Sequence, residues 1–334
     1  MTVKRIFLGG AALALTATAM ALPAAAETIK IGDINSYTRL PAHTEPYKKG
    51  AVLAIEVINK KGGVLGGKKL ELVSRDDKGK PGEAVKAAEE LFSREMVADR
   101  KKKLYLAAEP LADALVWAKG NKYTFRLRPS TYMQAAMLAA EAAKNKKAKR
   151  WVTIAPNYAY GKDAVAAFQK VLKKLRPDVE FVGAQWPGLF KIDAGAEVQA
   201  IAAKKPDAIY NVTFGSDLAK FVREGEKRGL FKGKLVVGLL TGEPEYLDPL
   251  GKDAPKGWLV TGYPWDAVEN PAHKEFVAAY QKRWNDYPRI GSIVGYNTML
   301  AIAAAIEKAK STDTEKLVAA FKGLTFDSPM GKIT

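Results

Sequence analysis

The chain has 334 residues, with 53 Lys+Arg against 36 Asp+Glu, 48% hydrophobic residues, 2 His and no Cys. At ~150 residues per domain this length predicts two domains, and the ordinary composition excludes disorder, collagen-like repeats and disulfide scaffolds. Without Cys there is no thiol nucleophile, iron–sulfur cluster or thiolate zinc site, and His43 and His273 alone cannot build a multi-histidine centre. No cofactor or metal is expected.

Lys4 and Arg5 precede an almost entirely apolar or small run from Ile6 to Leu22, and Ala24-Ala25-Ala26 offers a cleavage site before Glu27. Residues 1–26 read as a cleaved signal peptide. The other reading, a membrane anchor, needs a longer and less Ala- and Thr-diluted core. With no Cys, lipid attachment to an N-terminal Cys is impossible, and export to the periplasm is the expected destination. No later stretch resembles a transmembrane helix.

Thr28 to Asp33 alternates apolar and polar residues as a strand should. A helix follows, with Ala51, Ala54, Ile55 and Ile58 on one face and Gly62-Gly63 closing it. Lys69–Ser74 reads as a second strand, Glu83–Arg94 as a helix and Leu104–Ala108 as a buried strand. The alternation continues through strands near 151–155, 179–182, 208–212, 235–239 and 258–261. Two further helices are expected at Ala272–Trp284 and Ser292–Lys308. Such a series predicts parallel sheets flanked by helices, an α/β class. One segment departs from it. Only Asp99 to Lys103 separates a strand-like start at Met96–Ala98 from the strand at Leu104, and a parallel crossover needs about a dozen residues. Either Met96–Ala98 is no strand or a βα unit is absent here.

The positive excess concentrates at Arg100–Lys103, Lys144–Arg150 and Lys170–Arg176. The last two follow amphipathic helical patterns, where cations complement the helix dipole in solvent. No nucleic-acid-binding signature accompanies them, and no nucleic-acid partner is expected. His43 and His273 both stand at helix starts and read as solvated or capping residues.

The signal peptide, the opening IKIGDIN and the run KGAVLAIEVINKKGGVLGGKKLELVSRDD resemble the type I periplasmic solute-binding proteins of ABC importers. That family is typified by the leucine/isoleucine/valine-binding protein. Matches continue in family order through FRLRPST (125–131), NYAYGKDA (157–164), KKPDAIY (204–210), FGSDLAKFVREGEKRGL (214–230), GWLVTGYPW (257–265) and VGYNTMLAIAAAIEKA (294–309). The resemblance implies two α/β lobes joined by hinge crossings, with the ligand in the cleft between them. Lobe one would span 27–128 plus 262–325, and lobe two 129–261 plus 326–334. The resemblance also implies about two dozen further residues between Val97 and Lys103, whose loop supplies donors to a ligand carboxylate. The family likewise continues beyond the third crossing, whereas here Lys332–Thr334 reads as the middle of a strand.

By the same resemblance Glu243 matches the acid that pairs with a ligand ammonium, although a helix-N-terminal glutamate explains it equally well. Tyr160, close to Tyr158, matches the tyrosine that lies along the ligand. Thr213-Phe214 ends a strand, and Phe214 is either a cleft wall or core. Ser36 and Tyr37 follow the first strand as plausible cleft residues, while Thr44 nearby is a cleft residue or a helix cap. Ala108-Glu109 ends another strand, and Glu109 could meet a ligand cation or Arg126. Arg126 and Arg128 share one face of the first crossing, as hinge ion pairs or as a carboxylate grip. The expected protein is therefore no enzyme, and no nucleophile-elbow or paired catalytic motif is found. It is a monomer that binds a small amino acid or organic acid and delivers it to a membrane permease. A ligand sensor that signals without transport is the alternative.

Overall fold

The computed structural model describes residues 27–93 and 104–334. Strands and helices alternate as β1 (Thr28–Asn35), α1 (Pro41–Lys60), β2 (Lys69–Asp76), α2 (Pro81–Ser93), β3 (Tyr105–Ala107) and β4 (Thr124–Arg126). Next come α3 (Thr131–Ala142), β5 (Arg150–Ile154), α4 (Ala159–Leu175), β6 (Glu180–Gln185), α5 (Ala194–Ala203), β7 (Ala208–Asn211), α6 (Gly215–Lys227), β8 (Leu235–Gly242), α7 (Pro244–Leu247) and β9 (Leu259–Gly262). Helices α8 (Pro271–Trp284), α9 (Ile290–Ala309) and α10 (Thr314–Phe321) precede β10 (Phe326–Ser328) and β11 (Gly331–Ile333). Ser130, Asp193, Asn270 and Asp313 accept first-turn amides at the starts of α3, α5, α8 and α10, which fixes where those helices begin.

The largest sheet has five parallel strands in the order β6-β5-β7-β8-β9. Alternate residues of one strand enter different layers. Trp151 and Ala155 pack under α3 and α4, while Val152 and Ile154 pack under α5 and α6. The central strands β5, β7 and β8 are buried on both faces, which is why they read as short apolar runs.

The other parallel pairs are β1–β2 and β3–β4, and among the described residues no ladder joins them. Ile31 and Leu70 pack against Ala51, Ile55, Met299 and Ile306 from α1 and α9. These two helices approach with backbone against backbone. A Cβ at Gly295 would lie 2.1 Å from the Tyr47 carbonyl oxygen, and one at Gly50 only 1.9 Å from that of Ser292. By length and composition α9 could cross a membrane, contrary to the sequence reading, but most of it is buried inside the protein. Its apolarity serves contacts on several sides, with α1, α8 and α10.

Met96–Ala98 and the short segment after it, where a βα unit was expected to be absent if Met96–Ala98 is a strand, lie outside the described residues. At the chain end the strand expected around residues 332–334 is present as β11, and it pairs antiparallel with β10 in a hairpin that turns at Pro329-Met330. Phe326 packs with Ala305, Ala320 and Leu324 of the α9–α10 region, so β10 sits beside helices that the sequence reading gave to lobe one.

Candidate ligand-binding site

The carboxyl ends of β3, β4 and β8 bring three charged residues together. Glu109 stands two residues beyond β3, Arg128 two beyond β4, and Glu243 immediately after β8. Arg128 donates through Nη1 to Glu109 Oε2 at 2.7 Å and through Nη2 to Glu243 Oε1 at 2.6 Å. From the first turn of α1, His43 Nε2 meets Glu109 Oε2 at 2.9 Å. Glu245, in the first turn of α7, accepts the Gly291 and Ile290 amides at 2.7 and 3.2 Å, at the start of α9. One buried cluster therefore ties α1, α7, α9 and the ends of three strands.

Burial opposes the charge on His43. The Glu109 carboxylate, with Glu245 and Glu243 beyond it, outweighs burial and raises the imidazole to about 9. Burial would likewise lift Glu109, but His43 and Arg128 override it and lower that carboxyl to about 2. At Glu245 burial wins over His43, and the carboxyl rises to about 7. Burial also raises Glu243, against the pull of Arg128.

Beside this cluster lies a cavity of about 830 Å³. Its wall is aromatic. Tyr158 and Tyr160 have ring centroids 5.9 Å apart, Tyr160 meets Phe214 edge-on at 5.9 Å, and Phe190 meets Phe214 edge-on at 5.6 Å. Tyr246 completes the wall between Phe214 and His43, stacked on the imidazole at 6.3 Å. Leu240 also lines the cavity, and it holds φ 65° inside β8 where the ladder to β9 shifts register. That left-handed conformation is strained for a bulky residue, and it occurs where the strand turns into the site. Phe190 (φ 58°) is fixed by its N–H, which donates to Asp217 of α6 at 2.7 Å.

Of the residues expected from sequence, Glu109, Arg128, Tyr158, Tyr160 and Phe214 line the cavity, as does Thr44. Ser36, Tyr37, Ala108, Thr213, Glu243 and Arg126 do not. The Ser36 hydroxyl donates to Asp77 at 2.6 Å, and that of Tyr37 donates to Asp33. Ala108 packs against Tyr47 and Val294, and the Thr213 hydroxyl donates to Asn211 at 2.6 Å. Glu243 is 2% exposed and its carboxylate takes Arg128. Arg126 pairs with no carboxylate among the described residues. It donates to the Pro110, Leu111 and Ala112 carbonyls and so shapes the turn that carries Glu109. Glu109 accordingly pairs with Arg128 and not with Arg126.

Both histidines correct the sequence reading. His43 belongs to the charged cluster, because the turn after β3 brings Glu109 onto the start of α1. His273 is fully buried, with Nε2 at 2.6 Å from the Tyr263 hydroxyl. Sequence reasoning also missed Arg39, Phe190, Leu240, Glu245 and Tyr246. A second acid and an aromatic just after Glu243 were the available signal for the last two; nothing marked Phe190, which sits in a loop.

A profile described as periplasmic binding protein matches residues 28–98 and 94–334. The leucine-, isoleucine-, valine-, threonine- and alanine-binding protein of Pseudomonas aeruginosa is 27% identical, over 92% of this chain and 86% of its own. A solved solute-binding protein of an ABC transporter from Rhodopseudomonas palustris BisB5, in complex with 3,4-dihydroxybenzoic acid, superposes with a TM-score of 0.81. It is 25% identical and covers 92% of this chain and 88% of that one. An ABC-type branched-chain amino acid transporter structure from Rhodopseudomonas palustris CGA009 is 28% identical, with a TM-score of 0.72, over 91% of this chain and 86% of that one. With an α/β fold of parallel sheets and a family match over nearly its whole described length, this chain belongs to the periplasmic binding protein family.

Proposed function

We propose that this chain is the substrate-binding component of an ABC importer, capturing a small carboxylate-bearing solute and handing it to a membrane permease. The observation that carries this reading is the cavity itself, walled by aromatic rings and set beside a buried charged cluster at the carboxyl ends of strands. We assign 27–128 plus 262–325 to one lobe and 129–261 to the other. The separate cores support this, since the five-stranded sheet is covered by α3 to α6 and the β1–β2 pair by α1 and α9. The cavity draws on both, with His43, Glu109 and Arg128 from the first lobe's side and Tyr160, Phe214 and Tyr246 from the second. Clamshell closure on the solute follows from that geometry.

The family is periplasmic, and we infer cleavage after Ala26 and a monomeric mature protein. Calorimetry and thermal shift over amino acids and aliphatic and aromatic acids test the binding reading. At least one carboxylate should bind at micromolar level and raise the melting temperature. A mature protein that responds to none of them would sink it.

A further inference from the structure

Five charged residues line the cavity: Arg39, His43, Glu109, Arg128 and Glu245. Four of them are engaged in the interior. Arg128 has one Nη on Glu109 and the other on Glu243, His43 has Nε2 on Glu109, and Glu245 holds the first amides of α9. That cluster contains two cationic side chains and three carboxyl groups. A ligand carboxylate placed against it would have to compete with Glu109 and Glu243 for Arg128 and His43, with no unpaired guanidinium to receive it.

Arg39 differs. It follows β1 on the loop into α1, is exposed, and among the described residues has no carboxylate partner. Its guanidinium carbon stands 5.1 Å from the centroid of Phe190, across the cavity from its own chain segment. A cation–π contact uses the face of a guanidinium, whereas a carboxylate is gripped by its N–H edge. The contact with Phe190 therefore holds the side chain in place while leaving donors for a ligand. Phe190 itself continues into the aromatic wall through Phe214.

We propose that Arg39 is the carboxylate anchor of this site, holding the ligand's anionic end at the cavity mouth with its apolar body directed inward along Phe190 and Phe214. This rests on the solute-binding reading and makes Arg39 a specificity-determining residue. The orientation makes the carboxylate, and not an ammonium, the group the mouth selects.

The test uses matched acid and amide pairs, benzoate with benzamide and 4-methylpentanoate with 4-methylpentanamide, titrated by calorimetry into the mature protein. The wild type should prefer an acid over its amide by tenfold or more, the scale of a charge-assisted hydrogen bond. Arg39→Ala should bring that ratio within threefold, and Arg39→Lys should restore part of it. Because Arg39 is exposed, an unchanged melting temperature without ligand will show that both variants fold. If Arg39→Ala keeps the wild-type ratio, the anchor is wrong while solute binding stands. If the wild type binds no carboxylate in these pairs or in the wider screen, the solute-binding reading falls and takes the anchor with it.

Discussion

Around β5, β7 and β8, successive residues of each strand fill alternate layers, and the bulk of the core is side chain: Trp151, Phe168, Tyr210 and Phe221 are all fully buried. Around α1 and α9 the reverse holds, for the helices meet through Gly50, Gly291 and Gly295 and little side-chain volume lies between them. The first region is a continuous five-stranded sheet covered on both faces. The second has two-stranded ladders that lean on a helix pair. The difference shows that equal α/β patterning can be stabilised by large groups filling space or by small groups permitting approach. Opposite substitutions should break the two regions.

The largest effect is expected from Trp151→Ala. It removes the largest fully buried side chain of the sheet core, which touches Phe168 and Phe181, and should lower unfolding free energy by about 3–5 kcal/mol in a denaturant titration. A loss below ~1 kcal/mol would mean that the sheet collapses readily around the cavity.

Arg128→Met attacks the join between the regions and not either core. It strands Glu109 and Glu243 without their shared cation, and a buried pair broken from one side costs about 3–5 kcal/mol. Adding Glu243→Gln should recover part of that loss by removing one of the uncompensated carboxylates. If the double variant is less stable than the single by the full effect of Glu243→Gln alone, the two residues act independently.

The pH dependence sharpens the same join. His43 is raised from an ordinary value near 6.5 to about 9, so its contribution, at most about 3 kcal/mol, is complete below pH 6.5 and disappears as pH rises through 9. Glu245, raised to about 7, also makes the protein less stable as pH climbs from about 4.5 through 7, because the folded state holds its proton longer. Glu109 works in the opposite sense, with stability present above pH 4.5 and lost as pH falls toward 2. Stability should therefore peak near pH 4.5, fall through 7 as Glu245 ionises and keep falling to 9 as His43 loses its proton. In His43→Gln the decline between pH 6.5 and 9 should flatten, and an unaltered alkaline limb would remove His43 from the account.

The smallest effect is expected in the helix pair. Gly295→Val drives a side chain toward the Tyr47 carbonyl and should cost about 1–3 kcal/mol through separation of α1 from α9. The same change at Gly82 of α2, where no atom lies within 4 Å of an added Cβ and φ is not positive, controls for putting Val in place of a helical glycine alone. Equal losses at both sites would show that approach between the helices is not what Gly295 provides.

By itself the sequence determined the α/β class, the alternation of elements and the faces that are buried. These depend on periods of about two and four residues, which neighbouring positions carry locally. It also marked Glu109, Arg128, Tyr158, Tyr160 and Phe214, because strand ends are where a parallel sheet gathers its functional groups. Only the tertiary structure decided the partners. Whether Glu109 meets Arg126 or Arg128 depends on the path of the turn after β3, and residues 43 and 109 come together only because α1 packs beside that turn. Glu243 carries the same residue type whether it receives a ligand cation or an arginine, and here Arg128 reaches it from 115 positions away. Arg39 and Phe190 lie in loops whose residues follow no period, so their meeting over the cavity is a property of how the chain folds back on itself and of nothing local to either.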